Sequence, residues 1–185
     1  MSKSYRTIPN PLTTLRFLLI PVLWGFALMN WPFYLGVGLA MALLTDAFDG
    51  RLARRFPQFT NGKYDSRADK LLMLSVVFWL VMLRPQIFSQ HPLLILIAAL
   101  IYLASLLTGW LKFGRISSLH LYSGRLGGIM QAIFVLHAFL SNHYSVGLFY
   151  VAIGLFIIAA SEELLIQLTQ TEIDEDATRS IVGLK

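Results

Sequence analysis

No aspartate, glutamate, lysine or arginine occurs from Phe17 to Thr45, from Leu71 to Leu83, from Pro85 to Leu111 or from Leu126 to Ser161. A helix needs about 20 mostly apolar residues to cross the ~30 Å hydrocarbon core of a bilayer. Inside that core every backbone polar group must find its partner within the protein, which helices achieve on their own. The first and last charge-free stretches are long enough for two passes each. Each is broken near its middle, by Asn30-Trp31-Pro32 and by Ser141-Asn142-His143. Pro92 can open a further helix at its first turn. The pattern predicts an all-α integral membrane protein with six transmembrane helices, at about 11–29, 32–56, 65–84, 92–113, 124–141 and 145–168.

Composition agrees: 56% of the 185 residues are hydrophobic and only 14% are charged. These values exclude a disordered chain and argue against a soluble domain. The absence of cysteine excludes a disulfide framework, a thiolate zinc site and a cysteine nucleophile. A net charge of +5 in a soluble protein would suggest nucleic acid. Here the basic residues are sorted along the helices instead. With the N-terminus inside, every one of the 15 Lys and Arg residues except Arg84 falls on an inner segment, as the positive-inside rule requires. Both termini are therefore expected in the cytoplasm, in a multi-pass protein of the inner (plasma) membrane. The expected partner is membrane lipid and not nucleic acid. The first helix lacks a small-residue cleavage site, so it does not read as a secretory signal. Residues 1–168 are expected to form one membrane domain. Residues 169–185, with Glu172, Asp174, Glu175 and Asp176, are expected to form a polar cytoplasmic tail.

Two carboxylates stand where an apolar helix should still be crossing. In Thr45-Asp46-Ala47-Phe48-Asp49-Gly50-Arg51-Leu52-Ala53-Arg54, Asp46 comes only about 14 residues after Pro32, roughly 21 Å of helix at 1.5 Å per residue. An Asp at the bilayer centre costs about 2.5–3.5 kcal/mol on insertion scales, and less near the edge. Two in one turn suggest a compensating cation or a water-filled cavity. At 100° per residue, Asp46, Asp49, Gly50, Ala53 and Arg54 fall within about 140° of arc. That face carries two carboxylates, two small residues that allow close approach, and a guanidinium with the fork geometry for phosphate. A second pair, Asp65 and Asp69, is spaced four apart at the start of the next helix. A short polar loop from Pro57 to Tyr64 would let the two helices pack as an antiparallel hairpin with the pairs facing each other. Four hard oxygen donors without His or Cys suit Mg²⁺ or Mn²⁺, and metal ions clamping a phosphoryl group are a known catalytic solution. The alternative for these residues is structural. Asp65 would cap its helix, and Asp46 and Asp49 would pair with Arg51, Arg54 or Lys70.

These residues resemble the CDP-alcohol phosphatidyltransferase family, whose signature runs D-x2-D-G-x2-A-R, about eight residues, G-x3-D-x3-D. Asp46, Asp49, Gly50, Ala53 and Arg54 match its first half without a gap, and Asp65 and Asp69 match its end. Gly62 is the corresponding glycine. Seven residues separate Arg54 from Gly62 and two separate Gly62 from Asp65, so the spacer is two residues short of the pattern. The opening Ile8-Pro9-Asn10, with Leu12, Thr13 and Arg16, is also similar to members that use glycerol 3-phosphate. The resemblance implies a phospholipid-synthesis enzyme that moves a phosphatidyl group from CDP-diacylglycerol to an alcohol or phospho-alcohol acceptor, with release of CMP. It implies that Asp46, Asp49, Asp65 and Asp69 ligate Mg²⁺ or Mn²⁺ and that Asp69 also acts as general base. Asp46, Gly50, Ala53, Arg54 and Gly62 would hold the CDP moiety. It also implies a homodimer, for which the sequence shows no distinctive face.

The acceptor should be read at the inner ends of the fourth and fifth helices. Glycerol 3-phosphate users resemble this stretch with G-K-x-K-T-x2-Q. Gly124 and Gln131 match, Arg125 replaces the first Lys, and Gly127-Gly128 replace Lys-Thr. Lys112, Arg115 and Arg125 are the candidates for acceptor binding; as single residues they also read as plain positive-inside charge. Glycerol 3-phosphate is the first expectation, with phosphatidylglycerol (giving cardiolipin), another polyol phosphate or a free alcohol as alternatives. A cation transporter and a catalytically silent homologue are the competing classes. His120 and His137 read as solvated and packed residues, and Trp24, Trp31, Trp79 and Trp110 as core or interfacial-belt residues. Glu162 and Glu163 mark the inner end of the last helix.

Overall fold

Proline opens four of the helices: α1 (Pro11–Leu28), α2 (Pro32–Arg55), α4 (Pro85–Gln90) and α5 (Pro92–Phe113). Its missing N–H costs nothing at the first helical position, and its fixed φ suits the helix. The others are α3 (Gly62–Leu83), α6 (Tyr122–Leu140) and α7 (Val146–Thr169). The computed structural model describes residues 11–55, 62–113, 122–141 and 143–169, with side chains described for 18–45, 71–112, 122–141 and 143–169. Residues 1–10, the connection holding Arg115 and His120, and the expected tail from 170 onward lie outside the described residues.

The expected break after α1 is a helix C-cap. Asn30 is left-handed, with φ of 57°, a conformation that Asn tolerates better than most residues. Its N–H donates to Ala27 O at 3.0 Å, and Trp31 N–H donates to Phe26 O at 2.9 Å. This is the paired 6→1 and 5→2 bonding of a Schellman motif. The hydrophobic contact that accompanies such motifs is present, with the Trp31 ring stacked at 6.4 Å on Phe26. Pro32 then starts α2. The later break is a helix N-cap: Ser145 Oγ accepts from Leu148 N–H at 3.4 Å.

Six of the helices match the expected six in position, with small shifts at their ends. The seventh, α4, corrects the sequence reading. The pattern leaves residues 85–91 as a turn between its third and fourth helices, but Pro85 opens six helical residues before Pro92 restarts the chain, and Ile87 is buried. Helix α3 also begins at Gly62 rather than at 65. Among the described residues, three helices are long and apolar enough to cross a membrane: Pro92–Lys112, Tyr122–Leu140 and Val146–Thr169. Among the residues with described side chains, shorter apolar helical stretches run over Leu18–Leu28, Pro32–Thr45 and Leu71–Leu83.

The chain divides into two compact units. In the first, built from the described residues of Met1–Pro85 and Phe139–Asn142, α1 packs against both α2 and α3. Each helix contributes one stripe at helical spacing: Leu23 and Ala27; Leu35, Leu39 and Ala42; Leu72, Ser75 and Trp79. Trp79 is fully buried, edge-on to Trp24 at 5.9 Å, and Trp24 Nε1 donates to Ser75 Oγ at 3.1 Å. Trp79 is thus a core residue, whereas Trp31 and Trp110 are exposed. Arg84 Nη2 donates to Ser141 O at 2.7 Å and ties the end of α3 to the end of α6.

In the second unit α5 packs along α7. Small residues, Ala98 and Ser105 on α5 and Ala152 and Ala160 on α7, are buried there, as expected where membrane helices approach closely. The opposite stripe of α5, Leu93, Leu96, Leu100, Leu103, Leu107 and Leu111, is exposed. A continuous leucine face of this kind suits lipid and not water.

A Cβ added at Gly36 would stand 2.9 Å from Leu140 Cδ2 and 3.1 Å from Phe139 Cβ, whereas one at Gly25 meets nothing within 4 Å. Overpacking costs about 1–3 kcal/mol, against a helix-propensity gain of about 1 kcal/mol for Gly→Ala. Gly36→Ala is expected to lower the thermal midpoint of the detergent-solubilised protein, and Gly25→Ala to preserve or raise it. Equal melting of the two variants would show that α2 and the end of α6 do not approach this closely.

Candidate functional site

Helix α2 is continuous to Arg55, so Asp46, Asp49, Gly50, Ala53 and Arg54 all occupy helical positions in one register. Their shared 140° arc therefore holds at the level of the backbone. The charge-free part of α2 stops at Thr45, whose hydroxyl donates back to Ala42 O at 2.7 Å. Asp46 is the next residue. Helix α3 mirrors this order: Gly62 is its first residue, Asp65 and Asp69 fall within its first two turns, and its charge-free stretch begins at Leu71. Because the helix opens three residues before Asp65, Asp65 is not its N-cap, and the capping alternative for this residue falls.

Only residues 56–61 separate the two helices. A chain that short spans at most about 25 Å, so the carboxylate end of α2 and the carboxylate end of α3 lie at the same end of the first unit. Both helices pack on α1. The side chains of residues 46–70 lie outside the described set. Among the described residues no three His, Cys, Asp or Glu side chains gather as a metal site.

The second unit carries a polar network at the C-terminal end of α7. Gln167 is fully buried. Its Oε1 accepts from Ser105 Oγ at 3.4 Å, and its Nε2 donates to Glu163 Oε1 at 3.4 Å. Lys112 Nζ donates to Gln167 O at 2.8 Å and to Leu168 O at 2.9 Å. These are among the last carbonyls of a helix, which have no partner within it, and a cation there also complements the helix dipole. Ser123 Oγ donates to the Glu162 carboxylate. Arg125 is exposed, its guanidinium 6.0 Å from the centre of the Tyr122 ring. Gly127 is buried against the backbone of Leu155, where an added Cβ would lie 3.6 Å from the carbonyl oxygen.

Of the expected acceptor residues, then, Lys112 closes the end of α7, Arg125 projects from the first turn of α6, and Arg115 lies outside the described residues. Ser105, Ser123 and Gln167 were not singled out from sequence. Two of them carry a signal: Ser105 lies inside a leucine-rich span, and Gln167 comes one helical turn after Glu163 in an otherwise apolar helix. His137 is packed, its Nδ1 buried without a hydrogen-bond partner and its ring 6.4 Å from that of His143.

Ser105→Ala would leave Gln167 Oε1 without its donor in a fully buried position. Hydrogen bonds between membrane helices are worth about 0.6 kcal/mol on average and up to about 1.7, and stranded polar groups cost about 1–3 kcal/mol. A destabilisation of about 0.5–2 kcal/mol is expected in an SDS or thermal titration. Unchanged stability would mean that Gln167 finds another donor.

The chain matches the family described as CDP-alcohol phosphatidyltransferase over residues 6–169. It is 45% identical over 75 residues to "Probable cardiolipin synthase (CMP-forming)" of Drosophila melanogaster, covering 38% of this chain and 23% of that protein. It is 34% identical over 113 residues to the CDP-diacylglycerol–glycerol-3-phosphate 3-phosphatidyltransferase of Pseudomonas fluorescens, covering 58% of each. The matched segments thus span less than two thirds of either relative. No solved structure matches the chain.

Proposed function

As the chain belongs to the CDP-alcohol phosphatidyltransferase family, we propose that it transfers the phosphatidyl group of CDP-diacylglycerol to an alcohol acceptor and releases CMP. The observation that carries this reading is the placement of the family's carboxylate signature. Its two halves fall on consecutive helices, each set beside the polar end of an apolar stretch and joined by residues 56–61. A site at such a boundary takes the polar CDP group on one side while the acyl chains remain in lipid.

The donor set fits a divalent cation. Asp46, Asp49, Asp65 and Asp69 are all hard oxygen donors, the chemistry of Mg²⁺ or Mn²⁺. When bound, such ions offset the diphosphate charge and stabilise the departing phosphate. The remaining work falls to the chain. Gly50, Ala53 and Gly62 leave room for the CDP moiety near the backbone, and Arg54 holds its phosphates. Asp69 takes the proton from the acceptor hydroxyl. The freed oxygen bonds to the lipid-bearing phosphorus, and the bond from that phosphorus to the bridging oxygen breaks with its electron pair going to CMP.

Glycerol 3-phosphate is the proposed acceptor, supported by the name of the Pseudomonas relative and by Gly124, Arg125 and Gln131. Lys112, Arg115 and Arg125 are the residues assigned to it. The fly relative's name supports phosphatidylglycerol as the second acceptor to test. We place all six long helices across the inner membrane, with both termini, the 169–185 tail and the active site at the cytoplasmic face. We assign the chain a homodimeric state.

Purified protein supplied with Mg²⁺ or Mn²⁺, CDP-diacylglycerol and a panel of acceptors is expected to release CMP with glycerol 3-phosphate. CMP release with phosphatidylglycerol alone would move the assignment to the second acceptor, and none with any acceptor would reject the transferase reading. Asp69→Asn is expected to lower turnover on the order of 10²–10⁴-fold, the range for losing a general base, while CDP-lipid binding persists. Asp46→Asn is expected to weaken metal and CDP-lipid binding together. Identical binding defects in the two variants would make Asp69 a further metal ligand and leave the base elsewhere.

A further inference from the structure

The first turn of α6 is exposed nearly all round. Tyr122, Gly124, Arg125 and Leu126 face outward, and only Ser123 is half-buried. A Cβ at Gly124 would meet nothing within 4 Å. Helix ends with so few contacts open at little cost in free energy. Among the described residues, the Ser123 hydroxyl ties this turn to the second unit by donating to Glu162 of α7. Glu162 lies on a part of α7 that is tied to α5. One residue on, Glu163 accepts from the buried Gln167, Gln167 accepts from Ser105, and Lys112 closes the carbonyls of Gln167 and Leu168. The end of α7 thus fastens both the end of α5, through Lys112, and the start of α6, through Ser123.

Arg125 lies two residues beyond Ser123 on that same turn, and its guanidinium stays exposed over Tyr122. A guanidinium recognises phosphate by a planar fork, so its usefulness depends on where its helix turn is held. We propose that Glu162 is a positioning residue: by accepting the Ser123 hydroxyl it fixes the first turn of α6 and with it Arg125, which then selects an acceptor bearing a phosphate. The inference rests on the phosphatidyltransfer reading for its acceptor. It adds that α7, which carries none of the signature aspartates, governs acceptor affinity.

The test is CMP release by the full chain in detergent, with KM measured separately for glycerol 3-phosphate and CDP-diacylglycerol. Ser123→Ala and Glu162→Ala are each expected to raise the acceptor KM by about five- to tenfold, while kcat and the donor KM stay within about twofold. The double variant is expected to be no worse than Glu162→Ala alone, since Ser123→Ala removes a link that Glu162→Ala has already removed. Glu162→Gln keeps an oxygen that can accept the Ser123 proton and is expected to restore the acceptor KM to within about twofold of wild type. Equal rises in both KM values would reduce Glu162 to a structural residue. Additive effects, or Glu162→Gln as damaging as Glu162→Ala, would show that its charge acts by another route. Hydrogen exchange at residues 125–128, the first amides of α6 with acceptors one turn back, reads the positioning without turnover. Glu162→Ala is expected to accelerate it about tenfold or more and Glu162→Gln to leave it, and unchanged exchange in Glu162→Ala overturns the proposal whatever the reaction. A wild-type chain silent with every acceptor rejects the phosphatidyltransfer reading, and with it the role given to Arg125, while the exchange result still decides whether Glu162 holds the turn.

Discussion

A carboxylate beside a hydrocarbon core is stable only if something compensates its charge, and the positions of Asp46 and Asp69 make that constraint central here. The charge-free part of α2 ends at Thr45 and that of α3 begins at Leu71. The helices themselves do not stop there; α2 runs on to Arg55 and α3 has already begun at Gly62. Continuous helix on both sides of the polar boundary keeps the carboxylate positions in fixed register with the buried stripes below them. Leu35, Leu39 and Ala42 seat α2, and Leu72, Ser75 and Trp79 seat α3, with α1 as the shared partner. Packing in the apolar half thereby sets the rotation of the charged half.

The second unit solves a related problem by a different route. Its helices are apolar along nearly their whole length, so burial alone discriminates poorly between rotations of one helix against another. Polar groups at one end supply the discrimination. Ser105, Gln167, Glu163 and Lys112 each have a partner in a neighbouring element or on the next turn, and a mispaired register would strand a buried amide. Gly127, pressed against the backbone of Leu155, allows the close approach of α6 and α7 that goes with this arrangement.

Much of the architecture was legible because its signals are local. Asn30-Trp31-Pro32 is both a polar break and a complete capping motif, and Pro92 starts α5 where an N1 proline should. Helix α4 was not legible, since six residues between two prolines carry too little periodicity to separate a helix from a turn. The same holds for the start of α3, where Gly62 is a poor helix former yet lies inside the helix. The aspartates stood out from sequence because acidic residues are rare beside membrane spans. Ser105, Ser123 and Gln167 did not, because a neutral polar residue in a membrane helix is common, and its meaning depends on which helix it faces. That is tertiary information, as is the capping of α7 by Lys112, a residue whose charge alone suggested only proximity to the inner face.

The central claim is that α2 and α3 together hold a divalent cation against a CDP-linked lipid. A Mn²⁺ titration of the full chain in nanodiscs, followed by electron paramagnetic resonance with and without CDP-diacylglycerol, tests it most directly. The account predicts saturable loss of the free Mn²⁺ signal, tightened by CDP-diacylglycerol and reversed by excess Mg²⁺. A Mn²⁺ signal that remains that of the free ion in both conditions would contradict it.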